Sequence, residues 1–350
     1  MIRALAFDWG NTLMQVFPQY AGAMVDWPQV AAMPGAKAAL EALAGRFRLV
    51  VATNAADSGA AQVRAALDRV GLGQYFEAVY TVHELEARKP QPGFFLALER
   101  VLGLERDEIG MVGDEFVADV LGATRCGWQA FWLNPSWQAA PALLPVQAAQ
   151  LSGLDELPGV LARPLLPGLE LCRSWLQEQG SLAVMQHVEM VSAVAYWLAL
   201  ELRRRGVQVD PVLAQRGGLL HDVCKLRGEE PGAADHGRRA AVWLRAQGQL
   251  ELAEIADRHM LFGIEQSDRA PHSWEDKLVY FCDKLVEGNR LVEWEERLEA
   301  LRLRYHLDAE RLGRVQVYLG ALRSELCQQL GLPEAELVAR LRQAVFSAQQ

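Results

Sequence analysis

The sequence is poor in cysteine and has no cysteine pair at the spacing of a metal or redox motif. Five cysteines occur among 350 residues, and they are scattered along the chain. Their number and spacing exclude a small disulfide-stapled domain. They favour reduced, structural thiols in a protein of the cytoplasm.

Long apolar runs are lacking as well. No run reaches the roughly 18 residues that a membrane-spanning helix needs. Arg3 and Asp8 interrupt the first apolar stretch, so it does not have the pattern of a signal peptide. We therefore expect no membrane segment.

Basic residues are fewer than acidic ones, 35 against 44. The net charge of −9 argues against a broad electrostatic surface for nucleic acid, so a nucleic-acid partner is not expected. Hydrophobic residues make up 51% of the chain, which is typical of globular proteins, and 350 residues suffice for two domains with separate cores. The composition carries no signal of an oligomeric state.

Short apolar runs alternate with helical periodicity over the first 160 residues. The apolar runs are IRALAF, FRLVVAT, EAVYTV, IGMVG and WQAFWLN, and the helical stretches cover 36–44, 58–70, 92–102 and 115–126. This alternation predicts βαβ units in an α/β, doubly wound parallel sheet. A last edge strand is expected at VQAAQL and a last helix at LDELPGVLA.

The pattern changes at RPLLPG, where closely spaced prolines disfavour both helix and strand. We place a linker at 164–168, between an α/β domain at 1–163 and an all-α domain at 169–350. Helical periodicity continues through the second domain, and Asp210-Pro211 predicts a helix start within it. The Glu/Arg-rich stretch 293–304 is typical of a solvated helix face.

Polar residues follow three predicted strands of the α/β domain. Asp8 follows the first strand, Thr53 ends the second and Asp114 follows the fourth. The carboxyl ends of parallel strands meet at one edge of the sheet, where such folds bind ligands. Phosphoryl transfer needs a nucleophile, a cation and hydrogen-bond donors, and Lys89 would supply positive charge. The alternative, that these are ordinary turn and capping residues, does not explain Lys89 and Asp114 together.

Four segments in order, FDWGNT, VATN, RKPQPGFF and VGDEFVAD, resemble the haloacid dehalogenase-like hydrolases, which are mostly phosphatases. The resemblance covers about residues 1–160. It implies a nucleophile at Asp8, phosphate contacts from Thr53, Asn54 and Lys89, and a bound Mg²⁺ ion. The implied ligands of that ion are Asp8, the backbone carbonyl of Gly10, Asp114 and Asp119.

Two departures from that family bear on catalysis. Family phosphatases carry a second aspartate two residues after the nucleophile, which protonates the leaving group and then activates water, whereas this chain has Gly10. A missing general acid/base costs roughly 10²–10⁴-fold in rate. The chain also has little room for a cap domain, so we expect an open site. Such a site suits a bulky substrate, completion by a partner, or a domain that has lost turnover.

Most of the histidines lie in the predicted helical domain. A single buried histidine is usually an ordinary core residue, but several charged or polar groups buried together need pairing or a metal. Imidazole and carboxylate ligands suit Fe²⁺, Mn²⁺ or Zn²⁺, and a shared carboxylate can bridge two metals for phosphoester hydrolysis. The residues in question are His187, His221, Asp222, His236, His259 and Asp283.

The order of these residues, with GGLLHDVCKL at its centre, resembles the HD superfamily of phosphohydrolases over about residues 181–292. Within that superfamily the likeness is to bacterial enzymes that cut diadenosine tetraphosphate into two ADP. The resemblance implies two divalent transition metals, Fe²⁺ or Mn²⁺. One metal would be held by His187, His221, Asp222 and Asp283, and the other by Asp222, His236 and His259.

Two cations are candidates for phosphate contacts in this domain. Lys225 follows His221 by about one helical turn, and Arg290 is expected on one helix face with Asp283 and Glu287. The alternative for both cations is an ordinary solvent-facing side chain.

These patterns lead to one leading hypothesis and two alternatives. The leading hypothesis is a metal-dependent phosphohydrolase that acts on a nucleotide phosphoanhydride or phosphoester, with catalysis by Asp222 and Lys225 and a Mg²⁺-binding first domain. The first alternative is a phosphatase that acts through Asp8. The second, motivated by Gly10 and the unusual segment HMLFG at 259–263, is a non-catalytic protein that senses nucleotides.

Overall fold

The computed structural model describes residues 1–140, 145–225 and 235–347. The chain divides into two compact units, the first comprising Met1–Ser136 and Val146–Leu165 and the second Trp137–Pro145 and Leu166–Gln350. The change from one unit to the other after Leu165 falls inside the predicted linker at 164–168. The segment 137–145, which the sequence pattern assigns to the first domain, groups with the second unit.

Six parallel strands form the sheet of the first unit, in the order β3-β2-β1-β4-β5-β6. This is the doubly wound α/β arrangement that the alternating pattern predicts. The strands are β1 Ala4–Phe7, β2 Arg48–Ala52, β3 Ala78–Tyr80, β4 Ile109–Gly113, β5 Gln129–Leu133 and β6 Ala149–Leu151.

The helices of the first unit agree with the predicted stretches except for a short one at Val82–Leu85, which the sequence pattern did not predict, and the expected last strand and helix are present. The stretch predicted at 115–126 begins with a π-helical segment at Phe116–Leu121 before it continues as an α-helix. The helices are α1 Ala36–Leu43, α2 Ala60–Arg69, α3 Val82–Leu85, α4 Pro92–Leu102, α5 Gly122–Arg125 and α6 Leu157–Val160.

Strand β1 lies at the centre of the sheet, and all four of its residues are completely buried. Both of its neighbours, β2 and β4, are parallel to it, with Phe7 paired to Val51 and to Val112. The strand order reverses at β1, and a crevice opens at the carboxyl ends of the strands at such a point. The fold thereby brings the residues that follow β1, β2 and β4 to one place.

The second unit is helical, as predicted, apart from one small hairpin. Its helices are α7 Leu169–Glu178, α8 Met185–Arg204, α9 Pro211–Leu220, α10 His236–Ala246, α11 Leu250–Arg258, α12 Trp274–Lys284, α13 Trp294–Tyr305, α14 Ala309–Leu330 and α15 Leu337–Ser347. Among the residues described, no helix has both the length and the apolar character needed to cross a membrane.

The hairpin corrects the predicted position of Arg290. Helix α12 ends at Lys284, and the chain then forms β7 Val286–Glu287 and β8 Arg290–Leu291, which pair antiparallel. Gly288 adopts a positive φ of 63° in the connecting turn, a conformation that glycine allows at little cost. Arg290 therefore does not share a helix face with Asp283; it lies exposed on β8.

Helix α9 begins as the sequence predicts and packs very closely against its neighbours. The Asp210 carboxylate accepts hydrogen bonds from the backbone N–H groups of Val212 and Leu213 at 2.9 and 3.1 Å. A Cβ atom added at Gly218 would lie 2.7 Å from the Cα of Ser192 on α8. Only glycine allows this approach, which fixes the end of α9 beside α8.

We predict that Gly218→Ala destabilises the second unit by about 1–3 kcal/mol, because the added methyl group overpacks the contact between α8 and α9. Gly313→Ala on α14 is the matched control, since a Cβ there would meet no atom within 4 Å. It should stabilise the protein by about 0.5–1 kcal/mol through the higher helix propensity of alanine. Urea unfolding of the full chain, followed by circular dichroism, measures both changes. Equal stabilities of the two variants would contradict the close contact at Gly218.

Candidate metal centres of the two domains

The first candidate centre lies at the carboxyl ends of the central strands. Asp8 directly follows β1, Thr53 follows β2 and Asp114 follows β4. These three residues line one cavity of about 390 Å³. The same cavity is lined by Gly10, Asn54 and Lys89. The fold thus brings together six predicted site residues from four distant parts of the chain.

Lys89 is the buried cation of this centre. Its Nζ lies 2.7 Å from the Oδ1 of Asp8 and 2.5 Å from the Oδ1 of Asp119. Burial by itself would lower the pKa of Lys89, but the carboxylates of Asp119 and Asp8 outweigh it, and the pKa is raised. The ammonium therefore remains charged between the two aspartates.

Two other contacts hold this centre in shape. Asn54 accepts a hydrogen bond from the backbone N–H of Lys89 at 2.8 Å and donates one to its carbonyl at 3.0 Å. The amide of Asn54 thus fixes the Lys89 backbone. The hydroxyl of Thr12 donates to the Oδ1 of Asp114 at 2.9 Å. Residue type alone does not reveal either contact, because both join segments that are distant in the sequence.

The acidic residues of the centre fit a hard divalent cation. Oxygens of Asp8, Asp114 and Asp119 lie within 4.8 Å of one another, and Mg²⁺ prefers such carboxylate ligands. Burial, together with the charge of Asp8, raises the pKa of Asp114 to about 6. Burial also raises the pKa of Asp119, to about 7, although Lys89 opposes the change. One ammonium thus leaves negative charge that a divalent cation would balance.

Asp119 has additional partners within the protein. Besides the contact with Lys89, its Oδ2 accepts a hydrogen bond from the backbone N–H of Glu115 at 3.0 Å. Both carboxylate oxygens are therefore used to place Lys89 and the turn after β4. Its predicted part as a metal ligand stays a prediction, while its contact with Lys89 is a direct feature of the structure.

Gly10 faces the cavity with backbone alone. A Cβ added there would lie 3.0 Å from the Cγ2 of Val16, a side chain that is 41% exposed. A larger residue at position 10 therefore needs only a small shift of Val16. The position that holds the general acid in related phosphatases is accessible here but carries no acid.

The second candidate centre gathers ligands from five helical segments. His187 lies in α8, His221 and Asp222 follow α9, and His236 begins α10. His259 follows the end of α11, and Asp283 lies in α12. The structure brings all six of these predicted ligands together.

Asp283 contacts two of the histidines, and Asp222 contacts three, with its Oδ2 3.6 Å from the Nε2 of His221. The Oδ1 of Asp222 lies 3.2 Å from the Nε2 of His236 and 3.4 Å from the Nε2 of His259. The Oδ1 of Asp283 lies 2.9 Å from the Nε2 of His187 and 3.7 Å from that of His221. The adjacent residues His221 and Asp222 join the two groups into one continuous centre.

Backbone contacts fix the orientation of two of the rings. The Nδ1 atoms of His221 and His259 lie 2.8 and 2.6 Å from the carbonyl oxygens of Gly218 and Ala256. A carbonyl only accepts hydrogen bonds, so Nδ1 donates and, in the neutral ring, Nε2 keeps its lone pair. Burial lowers the pKa of His259 to about 4, which favours this neutral form.

Two buried atoms at the middle of the centre have no hydrogen-bond partner among the described residues. They are the Nε2 of His221 and the Oδ1 of Asp222. Buried polar atoms without partners are costly, and a bound cation satisfies lone pairs of this kind. The donor set of imidazoles and carboxylates therefore fits divalent transition metals.

Two lysines contact the aspartates from the other side. The Nζ of Lys225 lies 2.7 Å from the Oδ2 of Asp222, and the Nζ of Lys284 lies 2.7 Å from the Oδ2 of Asp283. Burial would raise the pKa of both aspartates, but these lysines and the nearby histidines hold it well below the usual range. Both carboxylates are thus kept charged.

A cavity of about 310 Å³ opens onto this centre. Lys225 lines it, as expected of a phosphate contact, whereas Arg290 does not. Helix α13, which was predicted to be a solvated face, supplies Arg297, Arg304 and Tyr305 to the cavity wall. The seven-residue spacing of the two arginines places them on one helix face, but the sequence does not show whether that face meets solvent or a cavity.

Comparison with protein families gives a match for each of the two domains. Residues 13–127 match the model of haloacid dehalogenase-like hydrolases, and residues 184–287 match the HD domain. Asp8 lies just before the first match, while Thr53, Lys89 and Asp114 lie within it. All six ligands of the second centre lie within the second match.

Similar proteins were found for the first domain. An uncharacterized protein of Methanocaldococcus jannaschii, MJ0778, is 34% identical over 146 residues, which cover 39% of this chain and 85% of that protein. The 5-amino-6-(5-phospho-D-ribitylamino)uracil phosphatase YigB of Escherichia coli is 40% identical over 34% of this chain and 49% of its own length. The structure of a HAD phosphatase from Thermococcus onnurineus covers 46% of this chain and 98% of that one, with 23% identity and a TM-score of 0.38. The chain spans about half the length of the named phosphatases that it matches.

We predict that Lys89→Met destabilises the first unit by about 3–5 kcal/mol, because two buried carboxylates lose their common counter-charge. Millimolar Mg²⁺ should restore part of the loss. Urea unfolding of the full chain with and without Mg²⁺ measures both effects. Arg88→Met, at an exposed neighbouring position, should change stability by less than about 0.5 kcal/mol. A Lys89→Met variant as stable as the wild type would contradict the structural role of this ammonium.

Proposed function

Since the chain is a haloacid dehalogenase-like hydrolase in its first domain and carries an HD domain in its second, we propose that it is a metal-dependent phosphohydrolase whose turnover resides in the HD domain. The observation that carries this proposal is the buried pair of unsatisfied atoms, the Nε2 of His221 and the Oδ1 of Asp222. They lie among further imidazole and carboxylate groups whose lone pairs converge. Bound cations would satisfy these lone pairs.

The predicted ligand assignment follows the two halves of the centre. His187, His221 and Asp283 form one half, His236 and His259 form the other, and Asp222 contacts both. Two divalent ions, Fe²⁺ or Mn²⁺, would supply an activated water and neutralise phosphate charge when bound there.

The residues of the chain would orient the substrate and stabilise the charge that develops on it. Lys225 lies at the cavity wall, where its ammonium, although paired with Asp222, would add positive charge near a phosphate in the cavity. Lys284 donates to the carbonyl of His259 at 2.6 Å and contacts Asp283 at 2.7 Å. It positions two ligand segments and is not expected to touch the substrate.

The cavity supports a nucleotide as the substrate. Its cationic lining, with Lys225 and two arginines, suits phosphate groups, and its apolar lining suits a base or sugar. Leu301, Tyr305 and Leu307 belong to that apolar lining. Diadenosine tetraphosphate, which the sequence resemblance suggests, contains both kinds of group. The cytoplasmic location inferred from the scattered cysteines stays a prediction.

The first experiment offers diadenosine tetraphosphate and other nucleotides to the full chain loaded with Mn²⁺ or Fe²⁺. We predict phosphate-bond cleavage, measured by chromatography of the products, and a loss of at least about 100-fold in His221→Ala through loss of a metal ligand. His272→Ala is the control, because His272 is exposed and its ring contacts only the carbonyl of Ser267 among described residues.

Turnover that persists in His221→Ala would place the reaction elsewhere. Tight nucleotide binding without turnover in the metal-loaded protein would instead select the sensing alternative.

The first domain offers a second candidate function, a phosphatase that acts through Asp8. The cavity that holds Asp8, Thr53 and Lys89 favours it, and so does the similarity to YigB. A carboxylate oxygen of Asp8 would attack phosphorus and form an aspartyl phosphate while the leaving group departs as its anion, with Lys89 and Thr53 near the phosphate oxygens. Water would then hydrolyse the aspartyl phosphate, which releases inorganic phosphate and restores the carboxylate. A bound Mg²⁺ ion would neutralise phosphate charge. Since position 10 carries no acid, only leaving groups that depart without protonation are expected to react.

We predict that Gly10→Asp extends the reaction to alkyl phosphates, with a gain of about 10²–10⁴-fold from the added general acid. The measurement compares p-nitrophenyl phosphate, whose leaving group needs no protonation, with glycerol phosphate, in the presence of Mg²⁺. Gly10→Ala adds the same Cβ without the carboxylate and should not gain activity. Absence of phosphatase activity in all three proteins would exclude this second function.

A further inference from the structure

Helix α13 places two arginines on the cavity of the HD domain. Arg297 and Arg304 are two helical turns apart, with Leu301 between them, and all three side chains line the cavity. Arg297 is only 9% exposed. A buried guanidinium at the wall of a cavity beside phosphate-directed groups needs an explanation, because burying a charge is costly.

Both arginines share a single carboxylate. Glu287 of β7 contacts Arg297 through its Oε2, and its Oε1 lies 2.7 Å from an Nη2 of Arg304. One negative charge therefore faces two positive charges. The Nε of Arg297 is buried and has no hydrogen-bond partner among the described residues. The cluster therefore has one anion for two cations, and the Nε of Arg297 is a donor without a partner in the described part of the chain.

The surrounding groups do not remove this excess of positive charge. Lys225 and Lys284 lie on the same cavity, and each is already paired with an aspartate of the metal centre. The arginine pair is thus the part of the cavity wall whose positive charge is not fully balanced by carboxylates. It lies beside the metal centre rather than within it, since neither arginine contacts a ligand side chain in the described ion pairs.

We propose that Arg297 and Arg304 form a subsite for a second phosphate of the substrate, next to the phosphate that undergoes attack. Glu287 acts as an internal competitor that holds the two guanidinium groups in place until a phosphate takes over their contacts. The cavity then selects ligands with two or more linked phosphates over monophosphates. This inference rests on the proposed phosphohydrolase function, because it names the substrate class of the same cavity.

A competing Glu287 and a purely structural Glu287 predict opposite changes in ligand affinity when its carboxylate is neutralised. If Glu287 only stabilises the fold around the arginines, its neutralisation weakens the binding of every ligand. If Glu287 competes with phosphate, its neutralisation leaves two arginines free for the ligand and strengthens binding. Arginine favours phosphate because its guanidinium makes paired, charge-assisted hydrogen bonds.

The test uses two probes that differ by one phosphate, AMP and the methylene-bridged, non-hydrolysable analogue of ADP. Calorimetry measures their affinities for the full chain loaded with Mn²⁺ and freed of excess metal. We expect Arg304→Gln to lower the affinity for the ADP analogue about tenfold and to change the affinity for AMP by less than about twofold. We expect Glu287→Gln to raise the affinity for the ADP analogue about tenfold.

Arg302→Gln is the matched control on the same helix. Arg302 pairs with Glu299 at 2.6 Å on the exposed side, so its replacement should leave both affinities unchanged. Weaker binding of the ADP analogue in Glu287→Gln would overturn the proposal, and so would equal losses for both probes in Arg304→Gln.

The outcome for the subsite can be separated from that for the function. If no nucleotide is hydrolysed but the two variants shift the ADP analogue in opposite directions, the subsite stands and the phosphohydrolase function fails. If nucleotides are hydrolysed in a manner that depends on His221, and the ADP analogue binds all variants alike, the function stands and the subsite fails.

Discussion

The pairing of enclosed carboxylates with lysine ammonium groups is the constraint on which both centres depend. Four aspartates of the candidate centres lie within 2.7 Å of a lysine. For Asp222 and Asp283, burial alone would raise the pKa and favour the protonated carboxyl group, a poor metal ligand, but the lysines and histidines hold the pKa well below its usual range. The pairs are Lys89 with Asp8 and Asp119, Lys225 with Asp222, and Lys284 with Asp283.

The two centres use this constraint to different degrees. In the second domain, Asp222 contacts two histidines through Oδ1 and both His221 and Lys225 through Oδ2, so ligands and counter-charges are both present. In the first domain, Lys89 and the acidic cluster are in place, but position 10 offers only backbone. The difference is one of proton transfer rather than of phosphate binding. It explains why the HD domain is the stronger candidate for turnover.

Much of this arrangement could be predicted from the sequence. The alternation of strands and helices places Asp8, Thr53 and Asp114 at one edge, because parallel strands share their carboxyl ends. Helical periodicity and residue type identify the ligands of the second domain. The role of Asn54 in holding the Lys89 backbone could not be predicted, since these contacts join residues 35 positions apart. Arg297 was missed because a charged face looks the same in the sequence whether it meets solvent or a cavity.

The contact between His187 and Asp283 has a consequence for how the second domain folds. It joins residues 96 positions apart, so it closes a long loop of chain that contains every other ligand of the centre. The entropy of closing such a loop is lost before its contacts can repay it, and long-range contacts of this kind form late and slowly. The centre therefore exists only once α8 and α12 have come together, with the four other ligands supplied by the chain between them.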